Sequence, residues 1–266
     1  MEIYMKKLLC LSIAVAMMLC LSGCSGAENA SGSAAASDDP LTAKVTTELH
    51  SPIQVETASP DWVAALPAAQ DESVKQLVVV AAMGEELTTA SVTMHERAED
   101  GSWKQIMSTP GYVGRTGVIP DAERKAGTGK TPMGVYRFTQ AFGIAPDPGC
   151  KMPYVQVDDD KYWSGDYTYH PNEMVSLSEY PQLDTEHSEH LIDYEYEYQY
   201  CLNIGFNTEG VEGRGDAIFL HCIGKLKPYT GGCVSVPEYA MLFILQHVDP
   251  DCRIVIDTLD NMGGSF

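Results

Sequence analysis

Positive charge is scarce in this 266-residue chain: 17 Lys and Arg stand against 37 Asp and Glu, a formal net charge of −20 with His neutral. Without a basic surface to neutralise phosphates, nucleic acid is excluded as a partner class. An acidic exterior serves solubility first, and it also draws amine-bearing substrates and repels anionic polymers. Long apolar runs are missing too, since Leu8–Leu21 falls short of the roughly 20 residues a membrane-spanning helix needs. None of the eight cysteines is spaced C-x-x-C, which excludes the common metal and dithiol redox pairs. A phosphate-cradling loop is absent as well: Gly127–Thr131 contains Gly-Lys-Thr, but Arg124 occupies the position where a P-loop needs its first glycine.

Lys6 and Lys7 precede the apolar run, a pattern that predicts an export signal over residues 1–23; a buried core helix is the alternative. Leu21-Ser22-Gly23-Cys24 resembles the bacterial lipobox. That resemblance implies that Cys24 is lipidated and becomes the mature N-terminus, anchoring an extracytoplasmic protein to the cell membrane. Loss of Met1–Gly23 removes Glu2, Lys6 and Lys7 and leaves a mature net charge of −21, from 15 basic and 36 acidic residues. Ser25–Pro40 is Ser, Ala, Gly and Asp with little to bury, so a flexible tether and irregular lead-in are expected over residues 24–73. Cys10 and Cys20 leave with the signal. Cys150, Cys201, Cys222, Cys233 and Cys252 remain, an odd number that guarantees a free thiol.

The folded part is expected over residues 74–258, followed by a tail at 259–266. Leu77–Ala82, Ser91–Glu96 and Trp103–Met107 read as strands, the last two joined at Asp100-Gly101, and Gly111–Ile119 and Gly134–Phe138 continue in the same style. Short strands at close spacing predict a sandwich or barrel. From Asp158 to Tyr200 the chain turns acidic and holds eight of the 14 tyrosines, which suggests an insertion or lid at about 158–200. Tyr194–Tyr200 alternates strictly, predicting a half-buried strand with four rings on one face, or else an aromatic wall for substrate. His187 and His190 lack placed carboxylate or thiolate partners and read as surface residues, so no metal is expected.

Reactive residue types concentrate in the last third. Ala217–His221 reads as a strand, Thr230-Gly231-Gly232-Cys233 follows, and the apolar run Tyr239–Val248 reads as a helix ending before Pro250. Ser235 and Glu238 match the S-x-x-E capping box, which places Cys233 two residues before the expected N-cap. A thiol beside the positive end of a helix, with His221 as partner, ionises more readily than a free one. Gly231 and Gly232 allow a tight turn, making the amides of Cys233 and Gly232 candidate oxyanion donors; Thr230 and Ser235 are candidate positioning residues. Cys222 follows His221 along the strand and points to the opposite face, for core packing or a disulfide. The bland alternative is a buried strand-end histidine and an inert thiol in a glycine turn.

Gly129-Lys-Thr-Pro-Met-Gly-Val-Tyr136 resembles the G-x-T-P-x-G-x-[FY] segment of the YkuD-type L,D-transpeptidases, and His221 with Thr230-x-Gly232-Cys233 resembles their strand-borne His and [ST]-x-G-C motif. The resemblance spans roughly residues 74–258. It departs at Gly231, where a second His is usual, at Ser235, where many members carry Arg or Asn, and in a short His-to-Cys gap. It implies a mainly β fold, a β-sandwich of mixed sheets with a few short helices. The activity it implies needs no cofactor: Cys233 attacks a peptidoglycan stem tetrapeptide, D-Ala leaves, and an acceptor amine resolves the thioester into a 3-3 crosslink with His221 as base. Attack by water would make a carboxypeptidase. Non-catalytic wall binding, or a zinc amidase using His187, His190 and His221, are the rivals from other classes.

Overall fold

The structure is a computed structural model that describes residues 56–225 and 227–265. The export run, Cys24 and the tether up to residue 55 lie outside the described residues, and no helix among those described is long and apolar enough to cross a membrane. β-Branched runs broken by Gly and Pro become strands: β1 (Thr57–Ala58), β2 (Gln76–Ala82), β3 (Thr89–Arg97), β4 (Trp103–Tyr112), β5 (Val118–Pro120), β6 (Thr131–Gly143) and β7 (Tyr154–Gln156). Then follow β8 (Lys161–Trp163), β9 (Met174–Ser176), β10 (Glu189–His190), β11 (Cys201–Ile204), β12 (Phe219–Cys222), β13 (Val234–Val236) and β14 (Arg253–Thr258). The helices are α1 (Asp61–Ala64), α2 (Pro67–Gln70) and α3 (Glu238–His247).

The strands of the main sheet run β4-β13-β12-β11-β6-β14-β2-β3, and β3 also pairs with β4, so this mainly β fold closes its mixed sheet on itself. The β3–β4 hairpin turns through Gly101, whose φ of 84° suits glycine. β2 lies between antiparallel β3 and parallel β14 and is buried along its whole length. Val78, Val80 and Ala82 point to the main core, where Met241, Ile244 and Leu245 of α3 join them. Leu77, Val79 and Ala81 point the other way and need a separate cover.

That second face is covered by residues placed in the lead-in and the tail. Upstream of residue 74 the described residues form β1, α1 and α2, and α1 and α2 press Val63, Leu66 and Ala69 onto the outer face of β2 beside Trp103, with Leu259 and Met262 closing the cluster. Short helices without sequence periodicity were invisible as elements, but a strand apolar on both faces demands cover.

Residues 158–200 build a small antiparallel sheet, β10-β8-β9. The expected strand at Tyr194–Tyr200 does not form. The segment coils through two 3-10 turns, Leu191–Asp193 and Glu197–Gln199, and Tyr194 stacks on Tyr198 at 4.4 Å. Aromatics at i and i+4 meet in a coil, whereas alternation in a strand only aligns them; here burial of Tyr198 against Phe142 and Phe219 decides.

Candidate active site

β12 and β13 are parallel neighbours, with Leu220 opposite Val234 and His221 opposite Ser235. Parallel strands cannot be joined by a tight hairpin, so a crossover connection delivers Cys233 to the start of β13. There it meets the start of β12: the Phe219 amide donates to Cys233 Sγ at 3.4 Å, and Sγ donates to the Ala217 carbonyl at 3.2 Å. Cys233, Ser235 and His221 line one cavity of about 440 Å³. Cys222, one step on from His221, packs in the opposite core, and the five cysteines among the described residues are all free, so no disulfide forms.

The expected helix start at Ser235 is displaced. Val234–Val236 is taken by strand pairing, Pro237 stands at the cap position without a side-chain cap, and α3 begins at Glu238. Cys233 therefore sits at a strand entrance, without the helix-terminal field that the capping box suggested. Burial dominates instead: it pushes the Cys233 thiol up to about 12, with the Glu189 carboxylate adding to the rise, while the Phe219 amide and the Arg124 guanidinium oppose it. Burial also brings His221 down to about 4, against the Cys222 carbonyl bond and Glu197. The resting pair is a neutral thiol and a neutral imidazole. His221 Nδ1 lies 2.7 Å from the Cys222 carbonyl, which can only accept, so Nδ1 carries the proton and Nε2 keeps its lone pair.

The turn before Cys233 is held from both sides. Thr230 Oγ1 takes the Gly232 amide at 3.1 Å and donates to the Cys233 carbonyl at 2.7 Å. Thr131 Oγ1 donates to the same carbonyl at 2.9 Å and accepts the Gly114 amide at 2.8 Å. Gly232 has φ 144°, and a Cβ there would come within 3.1 Å of Arg124 Nη2 and of the Lys130 carbonyl. The exposed Gly231 lines the cavity mouth.

The family model for the L,D-transpeptidase catalytic domain (YkuD) matches residues 91–256, more than half of the chain. The chain belongs to this family. No curated protein and no solved structure matches it. The L,D-transpeptidase domain thus includes both the Thr-Pro-x-Gly segment and the Cys233 motif, and family membership makes the protein a transpeptidase-type enzyme of peptidoglycan. The structure joins these two motifs through Thr131, whose hydroxyl donates to the Cys233 carbonyl.

Six charged side chains line this L,D-transpeptidase cavity, Arg115, Arg124, Glu189, Glu197, Asp216 and Lys227, and three of them, Arg124, Glu189 and Asp216, act on Cys233. Arg124 is 5% exposed; its Nε donates to the Lys130 carbonyl at 2.8 Å and its Nη1 to the Lys125 and Arg214 carbonyls, which locks the guanidinium beside Gly232 and Cys233. Asp216, raised above the usual carboxylate range by burial, accepts the Tyr167 hydroxyl at 3.0 Å. Glu189 accepts the Tyr198 hydroxyl at 2.7 Å. Asp216 stands directly before the Ala217–His221 strand and Arg124 just upstream of the Thr-Pro segment, whereas Glu189 is far from both; a single charge carries no motif signal of its own. No group of His, Cys, Asp and Glu among the described residues could hold a metal ion. His187 pairs with Asp184 at 2.7 Å, and His190 stacks on Tyr162 at 4.4 Å.

Proposed function

We propose that Cys233 attacks the carbonyl that follows the third residue of a tetrapeptide stem, expels D-Ala, and holds the stem as a thioester that an amine of a second stem resolves into a 3-3 crosslink. The observation that carries this is the cavity in which a thiol at the entrance to β13 shares one face of a parallel strand pair with a histidine whose Nε2 is free to accept. With both groups neutral at rest, proton transfer from Sγ to Nε2 accompanies attack instead of preceding it. Arg124 supplies the fixed positive charge that the thiolate meets as it forms, from a different segment than the position of Ser235. The Gly232 amide is occupied by Thr230, which leaves the Cys233 amide as the backbone donor for the oxyanion.

The test is the mass of the soluble domain after incubation with an N-acetylated stem tetrapeptide. Addition of the acyl tripeptide to Cys233, with one equivalent of D-alanine released, is the expected result. No adduct and no released D-alanine would move the protein to the wall-binding reading. Export and lipidation at Cys24 belong to the same proposal, supported by Lys6, Lys7, the apolar run and Leu21–Cys24. Labelling of cells with a fatty-acid analogue should mark the parent and fail to mark Cys24→Ala.

A further inference from the structure

The cavity contains a carboxylate that the acylation step does not use. Glu189 lies on β10, where it pairs with Trp163 of β8, so sheet structure fixes its place. The Tyr198 hydroxyl donates to its Oε2 at 2.7 Å. The ring of the same tyrosine meets the His221 ring edge-on at 5.6 Å and Phe219 at 5.5 Å, so one side chain links carboxylate and histidine. We propose that Glu189 is the catalytic residue that takes the proton of the acceptor amine in the second half-reaction, leaving His221 to serve the thiol. This rests on the thioester reading above.

The two half-reactions make unequal demands on a base. The acceptor reaches the site as an alkylammonium, with a pKa of about 10 in water, and has to lose a proton before its nitrogen can attack. His221 has a single free nitrogen, Nε2, because Nδ1 is held by the Cys222 carbonyl, and returning a proton to Sγ occupies it, so the first proton of the ammonium needs another receiver. Glu189 is raised to about 7 by burial, with the Tyr198 hydroxyl lowering it and Asp216 raising it, and so is matched to neutral pH. Its charge is felt in turn by Cys233, Tyr194 and Cys201, and the cavity adds Glu197 and Arg124. As a carboxylate it also attracts the ammonium ion it would deprotonate.

The ammonium gives one proton to Glu189; the freed nitrogen forms a C–N bond to the thioester carbonyl; the C–S bond breaks and its electron pair returns to Sγ. The surplus amide proton passes through His221 to Sγ, and Glu189 releases its proton to solvent. The products are an amide, a Cys233 thiol and one proton.

Glu189→Gln keeps the shape and cannot take a proton. With an N-acetylated stem tetrapeptide as donor and a stem tripeptide with a free side-chain amine as acceptor, acyl-Cys233 should still form and then accumulate. Crosslinked product should fall roughly a hundredfold, the usual weight of a general base. Stems with lysine and stems with a diamino diacid at the third residue should both show the loss. Acylation and crosslinking that fall together, or crosslinking at the parental rate, would overturn the role. A parent enzyme that forms no adduct would remove the thioester reading, and the inference with it. Should Glu189→Gln fold poorly, Tyr198→Phe reports independently. Removing the hydroxyl raises Glu189, so the pH at which crosslinking reaches half its maximum should move upwards while that of acylation stays in place. Unmoved crosslinking counts against the proposal.

Discussion

Thr131 and Cys233, 102 positions apart, are joined directly: Thr131 Oγ1 donates to the Cys233 carbonyl at 2.9 Å and, through its other side, accepts the Gly114 amide at 2.8 Å. One hydroxyl therefore ties the first residue of β6 to Cys233 and to the loop after β4. The Thr-Pro segment is part of the framework that holds Cys233.

Thr131→Val should therefore leave the Gly114 amide unpaired and the Cys233 carbonyl held by Thr230 alone. An unpaired buried donor costs about 1–3 kcal/mol, so the urea midpoint should fall and D-alanine release should drop with it. Thr131→Ser retains the oxygen and should recover most of both. A Val variant as stable and active as the parent would remove Thr131 from the framework.

Gly232→Ala tests the turn itself. A φ of 144° costs a residue with a Cβ about 1–3 kcal/mol, and the added methyl would press on Arg124 Nη2 and the Lys130 carbonyl. Activity should fall much further than stability, because any shift of Gly232 moves Cys233. Gly231→Ala meets nothing within 4 Å and should be close to silent in stability.

The resting thiol should be unreactive. With Cys233 held up near 12 by burial, its alkylation rate should climb through the alkaline range without an inflection near the free-thiol value of about 8.5. Arg124→Met removes the opposing guanidinium and should raise the Cys233 titration further. Alkylation followed per cysteine by mass spectrometry reads both. An inflection near neutrality would mean that a thiolate–imidazolium pair exists before substrate binds.

Stability between pH 7 and pH 5 should register three opposed groups. His95 and His221 are brought down to about 4 by burial, below the unfolded value of 6.5. The unfolded chain then binds more protons, and each histidine costs roughly 2 kcal/mol as pH falls through that window. Glu189 is raised to about 7 from 4.5, so the folded state binds its proton first and gains roughly 2 kcal/mol on the same descent. The parent should lose stability modestly, and Glu189→Gln should lose it more steeply. Parallel urea-midpoint curves for the two proteins would contradict the raised Glu189.

Several features were legible because they depend on neighbours in the chain. Leu77–Ala82 and the pair Ser91–Glu96 and Trp103–Met107 are strands, with a turn at Asp100-Gly101, since β-branched runs and a glycine turn act locally. His221, Gly232 and Cys233 announced themselves as a motif, and the Gly129–Tyr136 segment agreed with it. Two local patterns misled. Ser235 with Glu238 satisfies the capping box, but β12 offered Val234–Val236 a parallel partner, and interstrand pairing outweighed a cap. Tyr194–Tyr200 fits an extended strand and a coil equally well in its spacing, and the apolar wall of Phe142 and Phe219 selected the coil.

By itself, then, the sequence determined the acidic, mainly β chain and the family, and it singled out Cys233 and His221 as the candidate pair, because each rests on composition or on residues close together in the chain. Only the tertiary structure decided what surrounds them: Arg124, Glu189 and Asp216 reach one cavity from three separate segments, and sheet closure removes Cys233 and His221 from water. The physical reason is that charge and burial act through space, so the protonation state of the site belongs to the fold and not to the motif.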